Sequence, residues 1–99
     1  MNNLQAVRSS IIESAEQATS QYPQYRGHWN ECKLVRIKRT IKTKLGVAFI
    51  KGEVSVAQDA GKGLLPQYAA ELAGCVSVWS KSNKVDTVLK LKDIEWMEN

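Results

Sequence analysis

The sequence predicts a mainly β, α+β domain in which an N-terminal helix precedes a small, strongly bent antiparallel sheet or barrel of about five strands. Three features predict it. Apolar residues recur at steps of three and four up to about residue 20; two-residue alternation takes over from residue 33; and glycine- or proline-marked turns separate the short apolar runs that follow.

Leu4, Val7, Ile11, Ala15 and Ala18 form one stripe of a helix, so residues 1–21 are assigned to an N-terminal helix. Asn2 or Asn3 can cap it, with Gln5 in capping-box position, and Tyr22-Pro23 ends it because proline disfavours helical geometry in the residue before it. The stripe is narrow and runs into alanines, so this helix needs a sheet or a partner to pack on. Residues 22–31, with Tyr22, Pro23, Tyr25, Gly27, His28 and Trp29, follow neither periodicity and read as an aromatic linker.

Residues 32–99 are assigned to the sheet or barrel. Between Lys33 and Leu45 the pattern puts Val35, Ile37, Ile41 and Leu45 on one face of a half-buried strand and Arg36, Lys38, Thr40, Lys42 and Lys44 on the other. Arg39 and Thr43 interrupt the apolar face, which predicts an edge, a bend or a bulge near Arg39. Lys51-Gly52 suits a tight turn, after which Val54 and Val56 continue as a strand. Residues 59–63 read as a loop and Pro66 to Ala73 as a short helix ended by Gly74. Cys75 to Ser80 and Lys84 to Leu91 read as strands joined by a turn, with Ile94 and Trp96 beyond. Trp79 and Trp96, in alternating patterns, are expected in the core.

Phe49-Ile50-Lys51-Gly52-Glu53-Val54-Ser55-Val56 resembles the stretch that follows the long first loop of Src-homology-three-like barrels. Val88 to Met97 is similar to the short helical turn and last strand that close such barrels. The resemblance covers roughly residues 33–97 at the level of pattern and implies a fold, not a ligand. The aromatic run, double tryptophan and terminal tyrosine motif of the peptide-binding members are missing here, since Trp79 is followed by Ser80.

The 99 residues provide for one domain with one core, and the apolar and charged fractions of 43% and 24% are ordinary for a globular chain. Apolar runs such as Gly46 to Ile50 fall far short of a membrane span, and Met1 to Gln5 lacks the features of a secretory leader, so no membrane partner and a cytoplasmic setting are expected. Cys32 and Cys75 form no CxxC pair and are expected to be reduced, small buried apolar residues of strands, the alternative being a disulfide between them.

No nucleophile elbow, metalloprotease motif or phosphate-cradling glycine loop is present, and the single histidine, His28, would have to carry any Ser-His-Asp or Cys-His site. His28, Cys32 and Cys75 match no zinc-ligand spacing, so neither catalysis, a metal nor a cofactor is expected. The distinctive feature is charge. Lys33, Arg36, Lys38, Arg39, Lys42, Lys44 and Lys51 stand between residues 33 and 51 with no acid among them, while the whole chain is +4, so the remainder is net acidic. Neighbours two apart on an extended strand lie roughly 6.6 Å apart, which turns alternating cations into a ridge.

Such a ridge attracts phosphates or an acidic protein surface, although exposed lysines also serve to keep an edge strand soluble. The expected function is therefore a non-enzymatic binding module. Arg36, Lys38, Arg39, Lys42 and Lys44 would hold nucleic acid or another anion, with Tyr25 and Trp29 stacking beside them. The alternative is a protein-interaction module that uses the helix stripe and aromatic linker, including a homodimer through the helix.

Overall fold

The structure is a computed structural model that describes residues 3–60 and 74–97. Helix α1 runs from Asn3 to Ala18, within the stretch whose spacing predicts it. Its packed stripe is rotated from the expected one. Ile11, Ile12, Ala15 and Thr19 are buried, with Leu4 and Arg8 partly so, whereas Val7 and Ala18 face outward. The reason is that two polar side chains anchor the helix from within the stripe. Arg8 donates from Nε to the carbonyl of Cys32 at 2.8 Å and from a terminal nitrogen to that of Asn30 at 2.8 Å. Thr19 donates back to the Ala15 carbonyl and accepts from the Trp29 indole at 3.1 Å. Asn2, one of the two expected caps, lies outside the described residues.

The linker folds into two 3-10 turns, Pro23–Tyr25 and His28–Glu31, joined by Gly27 at φ 79°. Then come β1 (Lys33–Ile37), β2 (Ile41–Thr43), β3 (Gly46–Phe49), β4 (Val54–Asp59), β5 (Cys75–Ser80), β6 (Val85–Lys90), a 3-10 turn at Leu91–Asp93, and β7 (Ile94–Trp96). The fold is α+β. Five strands form an antiparallel sheet in the order β6-β5-β4-β1-β7, and β2 with β3 forms a separate hairpin. The expected loop at 61–63 and short helix at Pro66 to Ala73 lie outside the described residues.

The single strand expected from Lys33 to Leu45 is instead two. The chain bends at residues 38–40, leaves the five-stranded sheet, and resumes as β2 with a register shift between Ile41 and Lys42. Leu45, assigned by alternation to the buried face, sits in the hairpin turn and is 67% exposed.

Nor is the sheet half-buried. One side carries Val35, Ile37, Ala57, Val76, Val78, Leu89 and Ile94, packed on Ile41, Ala48 and Phe49 of the hairpin. The other carries Leu34, Val56 and Trp79, packed on Ile11, Ile12, Ala15 and Trp29. Consecutive residues such as Leu34 and Val35 therefore enter different cores, as do Val56 with Ala57 and Val78 with Trp79. Trp96, expected inside, is 39% exposed because β7 is a sheet edge.

Candidate functional site

The seven cations of the 33–51 segment divide into two groups according to whether a carboxylate meets them. Arg36 alternates with Leu34 onto the helix side of β1, directly opposite Glu95 of β7, and its guanidinium lies 3.7 Å from that carboxylate. Arg39 stands at the bend and grips Asp93 through Nε to Oδ1 at 2.8 Å and a second nitrogen to Oδ2 at 3.2 Å. The paired hydrogen bonds from Arg39 hold the Asp93 carboxyl below the usual carboxylate range against the opposing effect of burial. The Lys38 amide also donates to the Asp93 carbonyl. Arg39 thus fastens the bend to the turn before β7.

Lys33, Lys38, Lys42, Lys44 and Lys51 are exposed and join no ion pair among the described residues. Lys42 lies across from Val47 in the hairpin, and Lys44 with Leu45 makes its two-residue turn. The Thr43 hydroxyl shapes this tip, accepting from the Leu45 amide at 3.1 Å and donating to the Gly46 carbonyl at 3.3 Å. It also accepts from the Asn83 side-chain amide at 3.3 Å, and Ser80 donates to the Ala48 carbonyl at 2.8 Å. These bonds set the β5–β6 turn, Lys81-Ser82-Asn83-Lys84, against the hairpin.

The consequence for charge is direct. Thr43 has Lys42 and Lys44 as chain neighbours, and Asn83 stands beside Lys84 and two residues from Lys81, so one hydrogen bond ties together the two chain segments that carry these four cations. Neither residues 38–52 nor 81–85 contain an acid. Lys81 and Lys84 do not figure in the alternation argument, because they lie in a turn some forty residues downstream. Their one local signal is a Lys-Ser-Asn-Lys turn devoid of acids.

The aromatic expectations divide as well. Trp29 is 1% exposed, so it is a core residue and not a stacking platform. Its ring meets Trp79 edge-on with centroids 5.1 Å apart and carries Tyr25 stacked at 5.6 Å. Tyr25 remains partly exposed, and burial followed by the nearby Asp86 charge raises its phenol pKa. Beside it a cleft of about 200 Å³ opens between the end of α1 and the first 3-10 turn, lined by Glu16, Tyr22, Tyr25 and Arg26 among others.

His28 belongs to a buried polar cluster with Gln58, Ser77 and Asp86. The Gln58 amide nitrogen lies 2.9 Å from Nδ1 and 3.1 Å from the His28 carbonyl, which leaves the ring proton on Nε2, facing Asp86 at 3.6 Å. Ser77 donates to the same carboxylate. Here the carboxylate stands between serine and histidine, whereas nucleophilic activation needs the imidazole in the middle. Cys32 is buried, its thiol turned to the His28 carbonyl, and burial pushes its pKa up to about 12, so it stays protonated at neutral pH. Both cysteines are free thiols. Among the described residues, no three His, Cys, Asp or Glu side chains gather as a metal site, and no helix is long and apolar enough to cross a membrane.

No protein-family model, curated protein or solved structure matches this chain.

Proposed function

We propose that this chain is a non-enzymatic binding module that holds a polyanion, nucleic acid before others, on the lysines of the hairpin and the β5–β6 turn. The observation that carries the reading is the Asn83–Thr43 hydrogen bond, which brings Lys81 and Lys84 to the end of the molecule occupied by Lys42 and Lys44. Cations that meet no carboxylate among the described residues, drawn from two elements, make a surface on which displaced counterions drive association. Arg36 and Arg39, bound to Glu95 and Asp93, are assigned to structure. Tyr25 and Trp29 pack in the helix-side core, on the face of the sheet opposite the hairpin, and are left out of this surface.

The Src-homology-three-like reading of the fold belongs to the same proposal. It is supported by the hairpin that fills the long connection between β1 and β4 and by the 3-10 turn leading into β7. A cytoplasmic setting fits both the partner and the free thiols.

Four engaged lysines give a slope of log affinity on log salt of about −3.6 on B-form DNA, so raising salt from 50 to 200 mM weakens binding about 150-fold. Fluorescence anisotropy with a labelled 20-nucleotide single strand and its duplex measures this. Lys42→Glu combined with Lys84→Glu abolishes binding. A wild-type chain that binds neither probe at 50 mM salt overturns the proposal.

The alternative, protein interaction, is favoured by one observation, the cleft between Tyr22, Tyr25, Arg26 and Glu16. It predicts a partner lost on Tyr22→Ala and Arg26→Ala and kept when the hairpin lysines are changed.

A further inference from the structure

We infer that the nucleic acid taken by this chain is double-stranded, and that hairpin β2–β3 enters a groove with Leu45 as an apolar wedge between base steps. The inference rests on the polyanion reading above and adds the form of the ligand and the residue that reads it.

The first argument is the tip itself. The hairpin turn takes its positive-φ residue from Gly46, at φ 112°, so its backbone makes no demand for an apolar side chain at the position before it. Here the turn is Lys44-Leu45, and Leu45 is the most exposed large apolar residue described, at 67%. Val47, across from Lys42, is exposed beside it. The tip is not a loose end, because the Thr43 hydroxyl bonds both the Leu45 amide and the Gly46 carbonyl and itself accepts from the Asn83 side chain. A rigid protrusion that offers an aliphatic side chain among lysines is matched to a ligand with an apolar interior and an anionic rim.

The second argument concerns what the surface lacks. Single strands are held by aromatic side chains on which successive bases stack. The hairpin segment 38–52 has one aromatic residue, Phe49, which is fully buried, and the turn 81–84 has none. Bases splayed from a single strand would find no platform at this end. A duplex needs none, since its stacking is internal and its phosphates flank the groove.

The third argument is shape. A two-stranded ribbon fits a DNA groove, and apolar wedges of the Leu or Ile kind enter from the minor groove, unstack a step and kink the duplex. Lysines on the ribbon and on the adjoining turn supply cations to both sides of such a wedge. Mutual support of tip and lysines is the design this predicts.

The test uses the full chain, a 20-base-pair duplex labelled at both ends, and the matching single strand. The wild type binds the duplex at least about tenfold tighter than the single strand, and energy transfer between the duplex ends rises as the duplex kinks. Leu45→Ala lowers duplex affinity about tenfold, removes the rise in energy transfer, and leaves the salt slope unchanged, because the lysines remain. Val47→Thr gives a smaller loss of the same kind. Equal affinity for single strand and duplex, or Leu45→Ala binding and kinking like wild type, overturns the wedge while the polyanion reading survives through its salt slope. Binding to vesicles of 30% phosphatidylserine with no binding to either nucleic acid overturns both, and identifies the exposed leucine with insertion into lipid.

Discussion

Leu34 and Leu45 share a side chain and occupy opposite environments, so the same substitution at both separates the packing argument from the binding argument. Leu34 is fully buried on the helix side of β1, against the group that includes Ile11, Ala15, Trp29 and Trp79, while Leu45 is 67% exposed in the hairpin turn. Truncating a buried leucine to alanine forfeits its transfer free energy and leaves a cavity, together about 2–5 kcal/mol. With a urea slope of about 1 kcal/mol per molar for a domain of this size, Leu34→Ala lowers the midpoint by about 2 M or more. Leu45→Ala removes surface that is already wet and changes stability by about 0.5 kcal/mol or less. Tryptophan fluorescence during urea titration is the assay, since Trp29 and Trp79 lie in the core that Leu34 helps fill. Were the two variants to unfold at the same urea concentration, or were Leu34→Ala to match wild type, the second core on the helix side of the sheet would not exist, and with it the account of why β1 is buried on both faces.

Two further predictions concern side-chain bonds that join distant segments. Thr43→Val keeps the shape of the side chain and removes the hydroxyl that joins the tip to Asn83; duplex affinity falls while every lysine is retained, and the urea midpoint moves by about 1 kcal/mol equivalent or less. Asp93→Asn breaks the charge pair with Arg39. Because the folded carboxyl titrates below its ordinary 3.8, its contribution to stability is present above that value and lost as pH falls through the lower, folded one. The variant is therefore less stable than wild type at pH 6, and the difference narrows towards pH 2 in acid-unfolding curves followed by circular dichroism.

The elements whose patterns are local were legible in the sequence, and the errors arise where a distant residue decides. The helix, the strand from Cys75 to Ser80 and the turn after it follow from spacing within ten or so residues. The break in the long basic strand does not, because the partner that holds Arg39 at the bend is Asp93, 54 positions later. Leu34 reads as an off-pattern residue until α1 is laid across β1 and β4. Trp29 looks like a surface aromatic in an irregular linker until its indole is given to Thr19 and its face to Trp79. At the candidate site, composition marks the stretch that holds the hairpin lysines, but it groups with them Arg36 and Arg39, which carboxylates meet, and leaves out Lys81 and Lys84, whose turn a side-chain bond spanning forty positions ties to the hairpin.

The same accounting weighs on the alternative of a dimer through the N-terminal helix. That idea needs the apolar stripe of α1 to be available, yet Ile11, Ile12 and Ala15 are already buried against Trp29, Leu34, Val56 and Trp79. Exchanging this contact for one between helices would expose two tryptophans and a leucine at each protomer, at a cost of several kcal/mol that the residual outward Val7 and Ala18 cannot return. The hairpin tip is different. Among the described residues nothing covers its leucine, whose amide donates to the Thr43 hydroxyl, and no carboxylate meets the lysines of the tip. The turn itself obeys the local backbone rules, with Gly46 at φ 112° after Lys44-Leu45, so the exposed leucine answers no need of the hairpin's own fold and is the side chain whose contact the proposed duplex would complete.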